Sequence, residues 1–337
     1  MKYLSPKSLR KILFKSIEQL VQNKASYVRN PTDHSRTRKL SFKTVVNSIL
    51  QISGGSINNE LLTFFNCSET TPTAAAFVQQ RSKILPTAFE DLFISFTDKA
   101  NSHETYKNYR ILAIDGSDLH VPTNPQDKES YFPRINDQRP YNLLHLNALY
   151  DVCGKIYIDT IIQKSRNSNE NKALIDMVDR NNKTDATLII ADRGYESYNA
   201  LAHIQEKGWK FLFRIKDEDS RGGIANGLDL PQDDEYDIFI DLHLSAGRTQ
   251  DHWELYKNKN TYKRISHPEN FDFFINESGE RDVLMFYHLP FRILKIKLSN
   301  ETYETIITKP IRRRLSLRRS KEDLFYAMGN RDFFSRP

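Results

Sequence analysis

The chain has two cysteines, Cys67 and Cys153, in 337 residues. That is too few for a disulfide framework or a thiolate metal centre. No apolar run approaches the ~20 residues that a membrane-spanning helix needs. The first residues hold no long apolar stretch followed by a small-residue cleavage site, which argues against export. No internal repeat and no low-complexity segment interrupts the chain. Against these absences stand 39% hydrophobic and 27% charged residues, the composition of a packed, soluble fold. The length suits one large domain or two ordinary ones. A cytosolic protein with no membrane partner is expected.

Positive charge is unevenly placed. Residues 309–337 hold nine Lys and Arg against Glu322, Asp323 and Asp332, and this segment alone accounts for the formal net charge of +6. Residues 1–45 carry eleven basic side chains against Glu18 and Asp33, and the rest of the chain is acidic. A basic arm beside an acidic body suits a module that meets phosphate backbone next to one that collects cations. The plainer alternative is a solvated basic helix face.

Residues 6–24 place Leu9, Ile12, Leu13, Ile17, Leu20 and Val21 at helical spacing. RNPTDHSRTRK reads as a polar loop carrying Arg36, Arg38 and Lys39. SFKTVVNSILQI, capped by Ser41, and TPTAAAFVQQRSKI, capped by Thr73, read as helices, and AFEDLFISFTDKA continues the pattern. The first hundred residues thus form an all-helical region. From Tyr109 the texture changes to apolar, β-branched runs: YRILAIDGSDLHV, then two strands turning near Cys153–Lys155, then helix, strand, loop, helix and strand up to FLFRIK. That order predicts an α/β fold with a mixed sheet and helices on its faces. Residues 217–290 read as a charged, β-rich insertion, with HWELYKN among its strands, and FRILKIK and YETIIT close the region.

Asp115 follows ILAI and Asp192 follows TLIIA, each before a turn containing Gly116 or Gly194. Strand ends at the edge of an α/β sheet are where ligand chemistry collects. Two carboxylates brought together there repel each other unless a divalent cation sits between them, and hard oxygen ligands favour Mg²⁺ or Mn²⁺. Such ions activate water and stabilise a leaving oxygen in phosphodiester cleavage. An ordinary turn in which Asp caps its own backbone is the competing account of either site. Asp118 and Glu196 lie one turn further on and rank behind the aspartates, and His120 reads as a strand-end side chain.

AIDGSDLHVP, LNALYDVCGKIYID and IADRGYESYNALAHI resemble the DDE transposases of bacterial insertion sequences, in the group called the insertion-sequence-four family. The resemblance extends upstream through RNPTDHSRTRKLSF and TAAAFVQQRSKI and downstream through FLFRIKD, covering about residues 25–308. It implies a ribonuclease-H-like mixed sheet over residues 105–308, a β-rich insertion at about 217–290, and a helical DNA-binding region over residues 1–100. It further implies cutting and strand transfer at element ends, with Mg²⁺ or Mn²⁺ held by Asp115 and Asp192. Arg193 would sit near a DNA phosphate, Arg36, Arg38 and Lys39 would contact DNA, and the partners would be terminal inverted repeats and target DNA, met as a homodimer on DNA. Two rival functions are a non-catalytic DNA-binding remnant and a stand-alone metal-dependent nuclease using Glu196 or Asp118 as a third carboxylate.

One departure stands out. The resemblance calls for a closing helix with a Tyr, Arg, Glu, Lys signature whose Glu is the third metal ligand, whereas YETIIT is followed by KPIRRRLSLRRSKEDLFYAMGNRDFFSRP. Read one base later, the codons of Phe325–Arg336 permit Met-Arg-Trp-Gly-Ile-Glu-Thr-Ser-Phe-Arg. The Trp is forced, because Met328-Gly329 must be ATG followed by GGN. Residues 309–337 are therefore read as an out-of-frame tail that has replaced the catalytic helix, leaving this copy impaired and one sheet face bare. The nucleotide sequence should contain an open frame encoding Trp-Gly-Ile-Glu that overlaps this tail, and its absence would end the frameshift reading.

Overall fold

Hydroxyl side chains set the helix starts of the first hundred residues. The Ser5, Ser41, Ser56 and Thr73 oxygens each accept the backbone N–H three residues on. They open α1 (Pro6–Gln22), α2 (Phe42–Gln51), α3 (Ile57–Phe64) and α4 (Ala74–Arg81), and a cap of this kind is worth about 1 kcal/mol. α5 (Thr87–Ala100) follows Pro86. Their apolar stripes meet around Ile17, Val45, Val46, Phe77 and Ala88. α3 escaped the sequence reading because it is short and buries little besides Leu61.

The structure, a computed structural model, describes residues 4–36, 38–101, 104–134, 138–182, 185–218, 220–298 and 302–309. It divides into two units, Met1–Ser102 and His103–Pro337. The proposed out-of-frame tail, Lys309 apart, lies outside the described residues. Among the described residues no helix is long and apolar enough to cross a membrane.

The second unit is built on one ten-stranded mixed sheet. Its strands are β1 (Arg110–Val121), β2 (Tyr131–Phe132), β3 (Tyr141–Asp151), β4 (Ile156–Lys164), β5 (Thr187–Ala191), β6 (Lys210–Arg214), β7 (Tyr236–Ser245), β8 (Tyr262–Arg264), β9 (Tyr287–Lys297) and β10 (Tyr303–Thr308). Their order is β2-β3-β1-β5-β6-β10-β9-β7-β8, with β4 on β3. β1, β3 and β4 pair antiparallel, whereas β1, β5 and β6 pair parallel. Parallel neighbours need crossovers, and α6 (Glu170–Arg180) and α7 (Tyr198–Glu206) supply them. Both helices pack on one face, against Leu112, Ile114, Ile189, Phe211 and Phe213. This is the ribonuclease-H-like α/β arrangement that the resemblance implies.

The opposite face carries Ile111, Leu188, Ile190, Leu212, Leu294 and Ile306. Among the described residues no helix of this unit contributes to that cluster. Each of these side chains is 9% exposed or less.

Two further expectations are corrected. HWELYKN is not a strand: Thr249 caps α8 (Gln250–Leu255) by accepting from the His252 N–H, and the cap prevails over the aromatic Trp253 and Tyr256. β7, β8 and β9 also extend the same sheet. Secondly, β1 does not end at Asp115. Its ladder with β5 stops at Ala113 opposite Ile190, but β3 keeps pairing it from Asp115 opposite Ala148 to Val121 opposite Asn142. Gly116 therefore lies inside a strand, not in a turn.

At the start of β1 the Arg110 Nε donates to Asp151 Oδ2 at 2.9 Å with both side chains buried, and Asp151 Oδ1 accepts the Gly154 N–H at 2.8 Å. Removing one partner of a buried pair strands the other's charge. Asp151→Ala should lower stability by about 3–5 kcal/mol in urea denaturation, and a loss within experimental scatter would show that the pair is dispensable.

Candidate active site

Strand register brings three charged side chains into one row. The β1–β5 ladder pairs Ala113 with Ile190, and the β5–β6 ladder pairs Ala191 with Phe213. Continued two residues and one residue respectively, those ladders set Asp115 beside Asp192 and Asp192 beside Arg214. Side chains alternate along a strand, so these three share the face of Ile111, Ile190 and Leu212. Beyond Ala113 no ladder joins β1 to β5.

Each aspartate is held by its own backbone. Asp115 Oδ1 accepts the Gly116 N–H at 2.9 Å, and Asp192 Oδ1 accepts the Arg193 N–H at 2.6 Å. Asp192 also accepts from Arg214 Nε at 3.0 Å. Arg214 Nη1 stands 3.2 Å from Glu304 Oε1 on β10. Arg193, nearly half exposed, lies 4.0 Å from Asp192 and 3.9 Å from Glu304. Two carboxylates and two guanidiniums thus alternate around Asp192.

A further carboxylate enters from α6. Glu170 Oε1 lies 3.1 Å from His145 Nε2, whose Nδ1 lies 2.9 Å from Asp118 Oδ1. The donors and acceptors at that ring depend on its tautomer. Tyr195 is buried and donates to Asn147 Oδ1 at 2.8 Å. Burial raises its pKa, and the negative charges of Glu170 and Asp115 raise it further. One ring therefore senses both carboxylates.

The other candidates from the sequence sit elsewhere. Glu196 is buried and accepts the Lys216 N–H at 2.9 Å, with Lys216 Nζ at 3.5 Å. It fastens the loop after β6 and does not join the aspartates. Asp118 is engaged by His145, and His120 packs its ring 5.6 Å from that of Tyr141. Arg36, Arg38 and Lys39 are exposed on one loop of the first unit. That loop is fixed by His34 against the Gln80 carbonyl at 3.2 Å and by Lys39, which contacts Thr70 and lies over the Phe65 ring. The sequence reading missed Arg214, Glu304, His145 and Glu170. For Arg214 a signal was present, because FLFR closes its strand as TLIIAD does. The others come from β3, β10 and the crossover helix α6, which only the three-dimensional fold brings in.

Among the described residues no three His, Cys, Asp or Glu side chains form a ready cage for a metal ion. Two adjacent aspartates still fit a hard divalent cation, which takes one or two protein carboxylates and keeps its remaining waters.

A family model described as the transposase DDE domain matches residues 106–309, more than half of the chain. The chain belongs to that family. The matched segment of this DDE domain contains Asp115, Asp192, Glu170, Arg214 and Glu304. No curated protein matches the chain. Among solved structures, the cryo-EM structure of a piggyBac transposase synaptic complex with hairpin DNA is similar at a TM-score of 0.44 and 10% identity. That comparison covers 98% of this chain and 66% of the other, and so slight a likeness carries no argument.

Burial raises the Glu196 carboxyl above its ordinary range in spite of the Lys216 contacts. A carboxyl raised on folding adds stability below the ordinary range that is lost as pH rises through the raised value. Glu196→Gln should therefore lose less stability than the unaltered chain between mildly acid and neutral pH. Urea denaturation at both pH values checks this, and equal losses would refute it.

Proposed function

We propose that this DDE domain is part of a DNA transposase of the insertion-sequence-four type, which cleaves phosphodiester bonds at element ends and joins them to target DNA. The observation that supports it is the register setting Asp115 beside Asp192 at the mouth of the β1–β5 opening. These two side chains would hold Mg²⁺ or Mn²⁺. The cation would supply Lewis-acid stabilisation of the scissile phosphate and an activated attacking oxygen. Asp115 and Asp192 then set where the reacting phosphate lies. Arg193, exposed beside Asp192, suits a phosphate oxygen of the bound strand, because a guanidinium offers paired donors to such oxygens. Arg214 holds Asp192 in place from the neighbouring strand.

The helical first unit, with Arg36, Arg38 and Lys39 exposed on one loop, would bind terminal inverted repeats. A homodimer on DNA and a cytoplasmic, nucleoid-associated setting complete this reading. The out-of-frame tail would leave strand transfer impaired. A second reading, a remnant that binds repeats without cutting them, is favoured by the absence of a ready three-carboxylate cage among the described residues.

A labelled terminal-repeat duplex incubated with the full chain and Mn²⁺ separates the two. Cleavage should appear and fall at least about 100-fold in Asp115→Asn and in Asp192→Asn, with DNA retention in a gel-shift unchanged. Binding without any cutting by the unaltered chain would favour the remnant, and cutting that survives both substitutions would overturn the proposal.

A further inference from the structure

We infer that the aromatic ladder ending at His120 is a stacking platform for an unpaired base of the DNA strand, an inference that rests on the transposase reading. Strand register builds the ladder. β1 pairs His120 with Leu143, two residues from Tyr141 on β3, and β2 pairs Phe132 with Tyr141. Side chains alternate along strands, so His120, Tyr141 and Phe132 share one face. The Phe132 and Tyr141 rings stack with centroids 5.1 Å apart and planes 15° from parallel. The His120 ring leans on Tyr141 at 5.6 Å, and the Arg166 guanidinium lies over Phe132 at 5.7 Å. Four planar groups thus follow one another, Arg166, Phe132, Tyr141 and His120.

The two inner rings are partly buried and are in contact with each other and with the end groups, whereas both end groups are exposed. Arg166 also donates from Nη1 to the Tyr131 carbonyl at 3.1 Å. Among the described residues His120 makes no hydrogen bond or ion pair, and its ring contact is with Tyr141. An exposed ring at the end of a stack can take one more planar group, and every base has a π-face that stacks on such rings. In a duplex both faces of a base are covered by its neighbours, so the base that fits here is unpaired. The rungs are set before any strand arrives. Asn142, 1% exposed, accepts the Asn124 N–H at 2.7 Å and donates to the Ser130 hydroxyl at 2.8 Å, which fixes the segment before β2 against β3. A preformed platform loses little freedom on binding. His120 follows Asp115 on the same strand, roughly 17 Å further along it, and alternation turns it to the other face. The platform therefore lies beside the aspartates, and Arg166 offers a passing strand a charged partner for a phosphate.

Fluorescence anisotropy of a labelled oligothymidylate strand, titrated with the full chain in the absence of divalent cations, tests this apart from cleavage. His120→Ala should weaken strand binding about tenfold, while its thermal melt matches that of the unaltered chain because the side chain is exposed. His120→Trp should restore binding, as a stacking role requires and a charge or hydrogen-bonding role does not. Retention of a terminal-repeat duplex in a gel-shift should be the same in all three chains. Should His120→Ala bind the strand like the unaltered chain, or His120→Trp bind as weakly as His120→Ala, the platform is wrong and the transposase reading stands. Should the unaltered chain hold the duplex but not the single strand, the platform is wrong on its own. Should it hold neither, the DNA reading falls and takes the platform with it.

Discussion

The parallel pairing of β1 with β5, and its ending at Ala113 opposite Ile190, is the constraint on which the site depends. As long as the ladder runs, backbone hydrogen bonds hold the two strands at a fixed spacing and in a fixed register. Two residues later the strands are free of each other, yet their side chains have inherited that register. Asp115 and Asp192 are therefore neighbours without being bonded across the sheet, and the backbone between them is open. β3 makes this possible, because it keeps β1 straight on its other edge up to Val121. A strand that simply ended at Asp115 would leave that carboxylate on a loop.

Placing like charges side by side is costly, and the fold offsets it laterally. β6 runs parallel to β5 in the next position, and the same register that aligns the aspartates sets Arg214 beside Asp192. β10 then returns antiparallel and brings Glu304 to within 3.2 Å of Arg214. Charge therefore alternates along the row from Asp192 to Glu304, with Arg193 above it. These pairs are partly exposed, so each contributes little to stability alone. Their consequence is positional: Asp192 is oriented before any ligand arrives, and a preorganised group loses less freedom on binding.

Much of the fold was legible from local chemistry. Ser41 and Thr73 announced helix starts, and the β-branched runs before Asp115 and Asp192 announced two strands whose order implied a mixed sheet. The misreadings have a common cause. HWELYKN looked strand-like because its aromatic and charged residues suit an edge strand, yet one hydroxyl at Thr249 decided for helix. Asp-Gly after an apolar run looked like a strand end, yet a partner strand far along the chain continued the ladder through it. The site divides in the same way. Asp115, Asp192 and Arg193 sit where short-range signals converge, whereas His145, Glu170 and Glu304 owe their roles to strands and a crossover that return from elsewhere.

The glycines show how such a return can still leave a trace in the sequence. Glycine in a turn is usually explained by backbone freedom, and that account predicts a positive φ. Gly116 and Gly194 have none, so the backbone would accept another residue at either position. A Cβ at Gly116 would meet His145 Nε2 at 2.8 Å and Glu170 Oε1 at 2.9 Å, and one at Gly194 would meet Glu170 Oε2 at 2.5 Å, so those side chains would have to shift. An aspartate followed closely by a glycine without left-handed backbone therefore points to a third group approaching from outside the strand. Here Glu170, the first residue of α6, is close to both glycines, and His145 is closer still to Gly116. The crossover helix, needed in any case to join β4 to β5, brings its first side chain, Glu170, against both glycine-bearing segments.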